Sequence, residues 1–159
     1  MADLTGRTQI FSGNTSSVDT VLQHQLGTRA FDADGNEYIY MQGVGSTVAG
    51  SWVSFDENFV TTLTVANAKG RIAVAMAAID ATTEYGWFQI YGENTIALSI
   101  SGGSQADNTQ CFLTSTAGRV DDVDVAVDLI AGAMCRSAES SGVITVELNY
   151  PMCLNVVYN

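Results

Sequence analysis

From Arg29 onward the chain is a succession of short apolar segments separated by turn residues. The segments read "EYIYMQGV", "SWVSFD", "FVTTLTVA", "RIAVAMAAI", "YGWFQIYG", "TIALSI", "QCFLTS", "VDLIAGAMCRSA" and "GVITVELNY". Between them stand "DADGN", "GSTVAG", "NAKG", "DATTE", "SGGSQADN", "STAG", "DD" and "ESSG". Short β-branched and aromatic runs with frequent turn signals predict an antiparallel β-sandwich or β-barrel of roughly 8–11 strands, an all-β domain. In "GVITVELNY", Val143, Thr145, Glu147 and Asn149 share one face. Ile144, Val146, Leu148 and Tyr150 share the other, which is apolar and predicted to face a core. "IAVAMAAIDATTE" has the alanine content of a helix. Gly70 before it, Gly86 after it and the β-like "RIAVA" favour a buried strand instead, with small residues allowing close packing.

Residues 1–26 break the pattern. "FSGNTSSVDT" is polar and aperiodic, so this stretch reads as an N-terminal arm, extended or ordered on a partner, with a first short strand around Thr8–Phe11. Residues 27–159 then form a single β domain.

The cluster "RAFDADGNEYIYMQG" places three acidic residues, Asp32, Asp34 and Glu37, and an Asn around Gly35. With Asp32 as first ligand, a calcium loop of the helix-loop-helix kind needs glycine where Glu37 stands and a bidentate glutamate where Gly43 stands. The spacing fails, and Asp34-Gly35 between β-rich arms is a hairpin signal. A two-residue loop would set Asp32 against Glu37, a like-charge pair. The three-residue loop Ala33-Asp34-Gly35, with Gly35 left-handed, removes that clash and is the expected form. "RVDDVDVAVD" carries Asp121, Asp122, Asp124 and Asp128. Carboxylates without a compensating cation belong in water, so a solvated loop and strand edge is expected. A hard cation shared with a neighbouring subunit is the alternative.

Composition narrows the function. Charged residues are 14% against a usual ~25%, so the surface is either polar and uncharged or covered by other chains. The net charge is −11, with Lys69 and five arginines as the cations. That leaves no basic stripe for nucleic acid and nothing to attract an anionic membrane. No apolar run approaches the ~20 residues of a membrane span, and "MADLTGRTQIF" lacks the apolar core of a secretory signal. Cys111, Cys135 and Cys153 are odd in number and far apart in sequence, so buried thiols in a reducing compartment are expected rather than a disulfide framework.

The residues give no catalytic set. The single histidine, His24, lies in "LQHQL" within the polar arm, no GxSxG elbow appears, and "GVGSTVAG" lacks the lysine of a phosphate loop. The expectation is no enzyme, no cofactor and no metal. Aromatic residues stand out instead. In "YGWFQIYG" one face carries Tyr85, Trp87, Gln89 and Tyr91 and the other Phe88 and Ile90, so a strand here should be covered on both sides. Two arrangements are open: both sides belong to the domain core, or one side is core and the other a subunit contact, since Trp and Tyr favour interfaces. The candidate subunit or shell contacts are Ile10, Phe11, Trp52, Tyr85, Trp87 and Tyr91.

"LGTRAFDADGNEYIYMQGVGSTVAGSWVSFD", "AVAMAAIDATTEYGWFQIYG" and "IAGAMCRSAESSGVITVELNYP" together resemble the decoration, or cement, proteins of tailed-bacteriophage heads. The resemblance runs from about Leu26 to Pro151. It implies a β-rich domain, commonly a homotrimer, bound to the major capsid protein on the outside of the virion and made in the host cytoplasm. Such a protein reinforces the shell through contact area and has no active site to carry over. Two other readings stay open: another virion β-protein of the tail or fibre base, and a carbohydrate-binding module with Trp52 or Trp87 as its platform.

Overall fold

Turn chemistry starts the fold. In the computed structural model, which describes residues 13–123 and 127–154, strands β2 (Arg29–Phe31) and β3 (Glu37–Gln42) pair with Phe31 opposite Glu37. The loop between them is therefore the three-residue Ala33-Asp34-Gly35, with Gly35 left-handed at φ 87°. Asp32 builds this tip rather than a cation site. Its carboxylate accepts hydrogen bonds from the Asp34 and Asn36 amides, the Asn36 side chain and the Tyr38 hydroxyl. Partial burial pushes the Asp32 carboxyl up, but the four hydrogen bonds outweigh it and hold its pKa below the ordinary aspartate value.

Eleven strands and no helix occur among the described residues. The others are β1 (Val18–Asp19), β4 (Trp52–Phe55), β5 (Thr61–Leu63), β6 (Gly70–Ala75), β7 (Tyr85–Leu98), β8 (Gln110–Leu113), β9 (Val120–Asp121), β10 (Leu129–Cys135) and β11 (Val143–Cys153). They form one sheet in the order β2-β3-β7-β6-β11-β10-β8-β9, with β1 on β7, and β4 joining β5 to β6. Every strand pairing is antiparallel. No helix among the described residues is long and apolar enough to cross a membrane.

Only the first four residues of the ambiguous alanine-rich segment belong to strand β6, and residues 76–84 are bend, turn and loop. The alternation of β6 serves two interiors at once. Ile72 and Val74 join a core with Trp52, Leu113, Ile130, Ile144, Val146 and Leu148. Ala73 and Ala75, on the opposite face, join Ile39, Met41, Val53, Ile79, Phe88 and Ile90. The small side chains admit close packing on that second side, where a helix would have left half its length in water. Each large side chain buried this way contributes on the order of 1.5–3 kcal/mol.

The stretch expected as a free arm is in its second half part of the domain. β1 pairs with Tyr85 and Gly86 of β7. The Tyr40 hydroxyl donates to Asp19 at 2.7 Å, and burial followed by this bond pushes the Tyr40 pKa up to about 12. The His24 ring lies 5.1 Å from the rings of both Tyr40 and Trp87, and Leu26 packs on the same cluster. Val18–Leu26 of the expected arm thus lie against an aromatic face of the domain. The strand expected at Thr8–Phe11 lies outside the described residues, as do Ile10 and Phe11.

Candidate functional site

Strands β7 and β11 each change partner along their length, and the site lies where they do so. The first part of β7 runs between β3 and β6, with Val74 opposite Gln89 and Ala75 opposite Phe88. From Tyr91 onward it pairs with β11 instead, Tyr91 opposite Asn149 and Leu98 opposite Val143. β11 in turn leaves β7 after Asn149 and closes on β6, Met152 opposite Arg71 and Cys153 opposite Gly70. Three strands thus diverge around one point. The alternation in "GVITVELNY" holds through Ile144, Val146 and Leu148, which are buried, and stops there. Tyr150, expected to point into the core, turns outward with a left-handed backbone at φ 47°. Pro151 follows, a residue without an N–H to leave unpaired where the ladder is interrupted.

The gap between the diverging strands is a hollow of about 330 Å³ lined by Arg29, Phe55, Arg71, Ile72, Ile90, Tyr150, Pro151 and Met152. The register sets Phe55, Arg71 and Met152 side by side on β4, β6 and β11, so they share one face. On the other side of the hollow a buried carboxylate organises the wall. Glu37 Oε1 accepts from Arg29 Nη1 at 2.8 Å and Oε2 accepts from the Tyr150 hydroxyl at 2.6 Å, with the Glu37 side chain almost fully buried. The Arg29 guanidinium lies 5.9 Å from the centre of the Tyr150 ring, whose other neighbour is the Tyr91 ring at 5.3 Å. The hydrogen bond to Glu37 is the main cause, with burial second, that pushes the Tyr150 phenol above its ordinary pKa. Among the described residues the Arg71 guanidinium has no ion pair. Formal charges of Arg29, Arg71 and Glu37 sum to +1 on a chain of −11. Chemically, this is a small apolar notch with two guanidinium forks at its mouth.

The sequence-predicted contact residues are dispersed by the fold. Tyr91 is 41% exposed and stands at the rim of the site, and Tyr85 is half-buried on β7. Trp52 and Trp87 are 0% and 2% exposed, so this chain itself buries both side chains. Trp52 is a core residue whose indole N–H donates to the Leu98 carbonyl at 3.0 Å. Trp87 packs on Ala30, Tyr38 and Tyr40. From Gly86 to Ile90 the strand is buried on both faces by this chain itself, whereas Tyr91 is exposed.

Among the described residues, the aspartates of "RVDDVDVAVD" do not form one cluster. Asp121 and Asp122 lie together, and burial raises the Asp121 pKa. Asp128, expected in water, is buried with Oδ1 accepting the Asn67 amide at 2.6 Å. Asp124 lies outside the described residues. No group of three or more potential metal ligands occurs among the described residues.

Sequence reasoning missed Arg29, Arg71, Tyr150 and Met152. Pro151, the chain's single proline inside a strand-like run, was the available signal, since such a proline marks an edge or an irregularity. It also missed that Cys111 and Cys135 meet: their sulfurs lie 3.4 Å apart across β8 and β10, both buried. That contact raises the Cys111 pKa and lowers that of Cys135 to about 7. Comparison of the chain with family models, curated proteins and solved structures returned no match.

Proposed function

We propose that this chain is a structural virion protein, a decoration or cement protein that binds the outside of a tailed-phage head and stabilises the shell. The observation that carries this reading is the exposed rim of the strand junction. Tyr150 and Met152, 49% and 37% exposed, line a hollow that already holds two arginines, and the Tyr91 ring, 41% exposed, lies beside that of Tyr150. Tyrosine, methionine and arginine are the residue types enriched in the buried centres of protein interfaces. They stand on paired strands, so little ordering entropy is lost when a neighbour covers them. The resemblance of the β-hairpin, the "YGWFQIYG" strand and the final hairpin to head decoration proteins points the same way. In this reading the partners are the major capsid protein and further copies of the chain, arranged as a trimer.

The test is co-sedimentation of the purified protein with mature heads of the phage that encodes it, stripped of the chain, followed by cryo-electron microscopy. Saturable binding at the junctions between capsid subunits is the expected result. A protein that stays monomeric and in the supernatant at all head concentrations overturns the reading.

A further inference from the structure

We propose that the hollow at the β6–β7–β11 junction is a docking notch for a segment of a partner polypeptide that carries a carboxylate beside an apolar side chain. The shell-binding reading supplies the identity of that partner, and the assignment rests on it to that extent. The chemistry of the notch comes from its own residues.

Charge complementarity commits the occupant. The Arg71 guanidinium is exposed and has no ion pair among the described residues, so its whole fork is available. Arg29 uses Nη1 for Glu37 and keeps its remaining N–H groups. Two such forks flanking a hollow suit a planar carboxylate, which guanidinium binds in a bidentate way. The site carries a net +1 on a molecule of −11, so an anion is attracted here and repelled over most of the remaining surface. A long polyanion would have to cross that acidic surface, which favours a single carboxylate over a nucleic-acid backbone.

Size and lining decide the rest. About 330 Å³ is at the small end of ligand sites, which span roughly 300–1,000 Å³, and accommodates one or two side chains rather than a folded element. Phe55, Ile90, Pro151 and Met152 offer apolar surface below the guanidinium groups. An apolar side chain adjacent to an Asp or Glu fills both parts at once. The Tyr150–Glu37–Arg29 chain of contacts fixes one wall before anything binds. Preorganisation of this kind removes part of the ordering cost of docking.

The experiment is an NMR titration of the isotope-labelled full chain with three probes: acetyl-Phe-Glu-amide, acetyl-Phe-Gln-amide and inorganic phosphate. Saturable shifts at Arg71, Tyr150 and Met152 are expected with the glutamyl peptide, with affinity for the glutaminyl peptide about tenfold weaker. Arg71→Gln, an exposed position whose replacement leaves the spectrum dispersed, should abolish that preference. Absence of saturable shifts up to on the order of 10 mM, equal affinity for the two peptides, or phosphate binding as tightly at the same residues overturns the assignment. Arg71→Glu should weaken binding to heads at least tenfold. Heads that bind wild type and Arg71→Glu equally overturn the notch and leave the shell reading standing. A wild-type chain that ignores heads yet selects the glutamyl peptide overturns the shell reading and supports the notch.

Discussion

At Tyr150 the backbone enters the left-handed region while the phenol reaches back to a buried carboxylate. A left-handed bulky residue costs about 1–2 kcal/mol. The bond to Glu37 offsets this, because without it Oε2 would be buried with no donor. Replacing Tyr150 by Phe should therefore destabilise the fold by about 1–3 kcal/mol at neutral pH in urea unfolding, whereas Tyr91→Phe should be near neutral. The pH dependence has a definite sign. Tyr150 has a raised pKa in the folded state, so its contribution is complete below the ordinary tyrosine pKa of ~10 and is lost as pH rises through the folded value. The difference between wild type and Tyr150→Phe should shrink above about pH 10. A difference that is absent at pH 7, or constant to pH 11, contradicts this account of the wall.

Elements show how far sequence pattern reached. Alternation marked Ile144, Val146 and Leu148 as inward, and Asp-Gly marked the hairpin, because both are local properties of the chain. The sequence pattern reads "YGWFQIYG" and "TIALSI" as two segments, and both lie in the single strand β7. In the fold Gly92 adopts φ 94° and bends a continuous strand instead of ending it. Whether a glycine bends or reverses the chain depends on which strand receives the next residues, and that is not a local property. The same limit hid the notch: Arg29, Arg71 and Tyr150 are far apart in sequence and meet through three pairings. Nor could pattern decide what buries Trp52 and Trp87, since periodicity tells which residues share a face but not what covers it. Gly132 on β10 tests the irregular pairing directly. It sits at φ 83° in the bulge between Ala131 and Ala133, where an added Cβ would lie 2.5 Å from the Asn149 carbonyl oxygen. Gly35 has a similar φ but nothing near an added Cβ. Gly132→Ala should cost about 2–4 kcal/mol and Gly35→Ala about 1–2 kcal/mol. Equal losses would mean that the bulge yields freely.

The whole molecule is organised around strands shared between interiors. β4 sends Trp52 to one core and Val53 to the other, and β6 divides its residues in the same way. Neither core can open without stripping a wall from its neighbour. Unfolding should therefore be a single transition. Trp52 and Trp87 report on different clusters, so fluorescence melts of Trp52→Phe and Trp87→Phe, each normalised to its own stability by a second probe such as circular dichroism, should show coincident midpoints. A tryptophan signal that departs from the backbone signal in either variant would reveal an independently melting half.

β11 carries a further implication for how the protein comes into being. It is the strand that β6, β7 and β10 all bind, and it is synthesised after all three of them. Until then the nascent chain holds its earlier hairpins with apolar edges unsealed, the state in which partly made β proteins are most exposed to wrong partners. The guanidinium-lined notch therefore cannot exist before β11 has been made and has found all three of its partner strands.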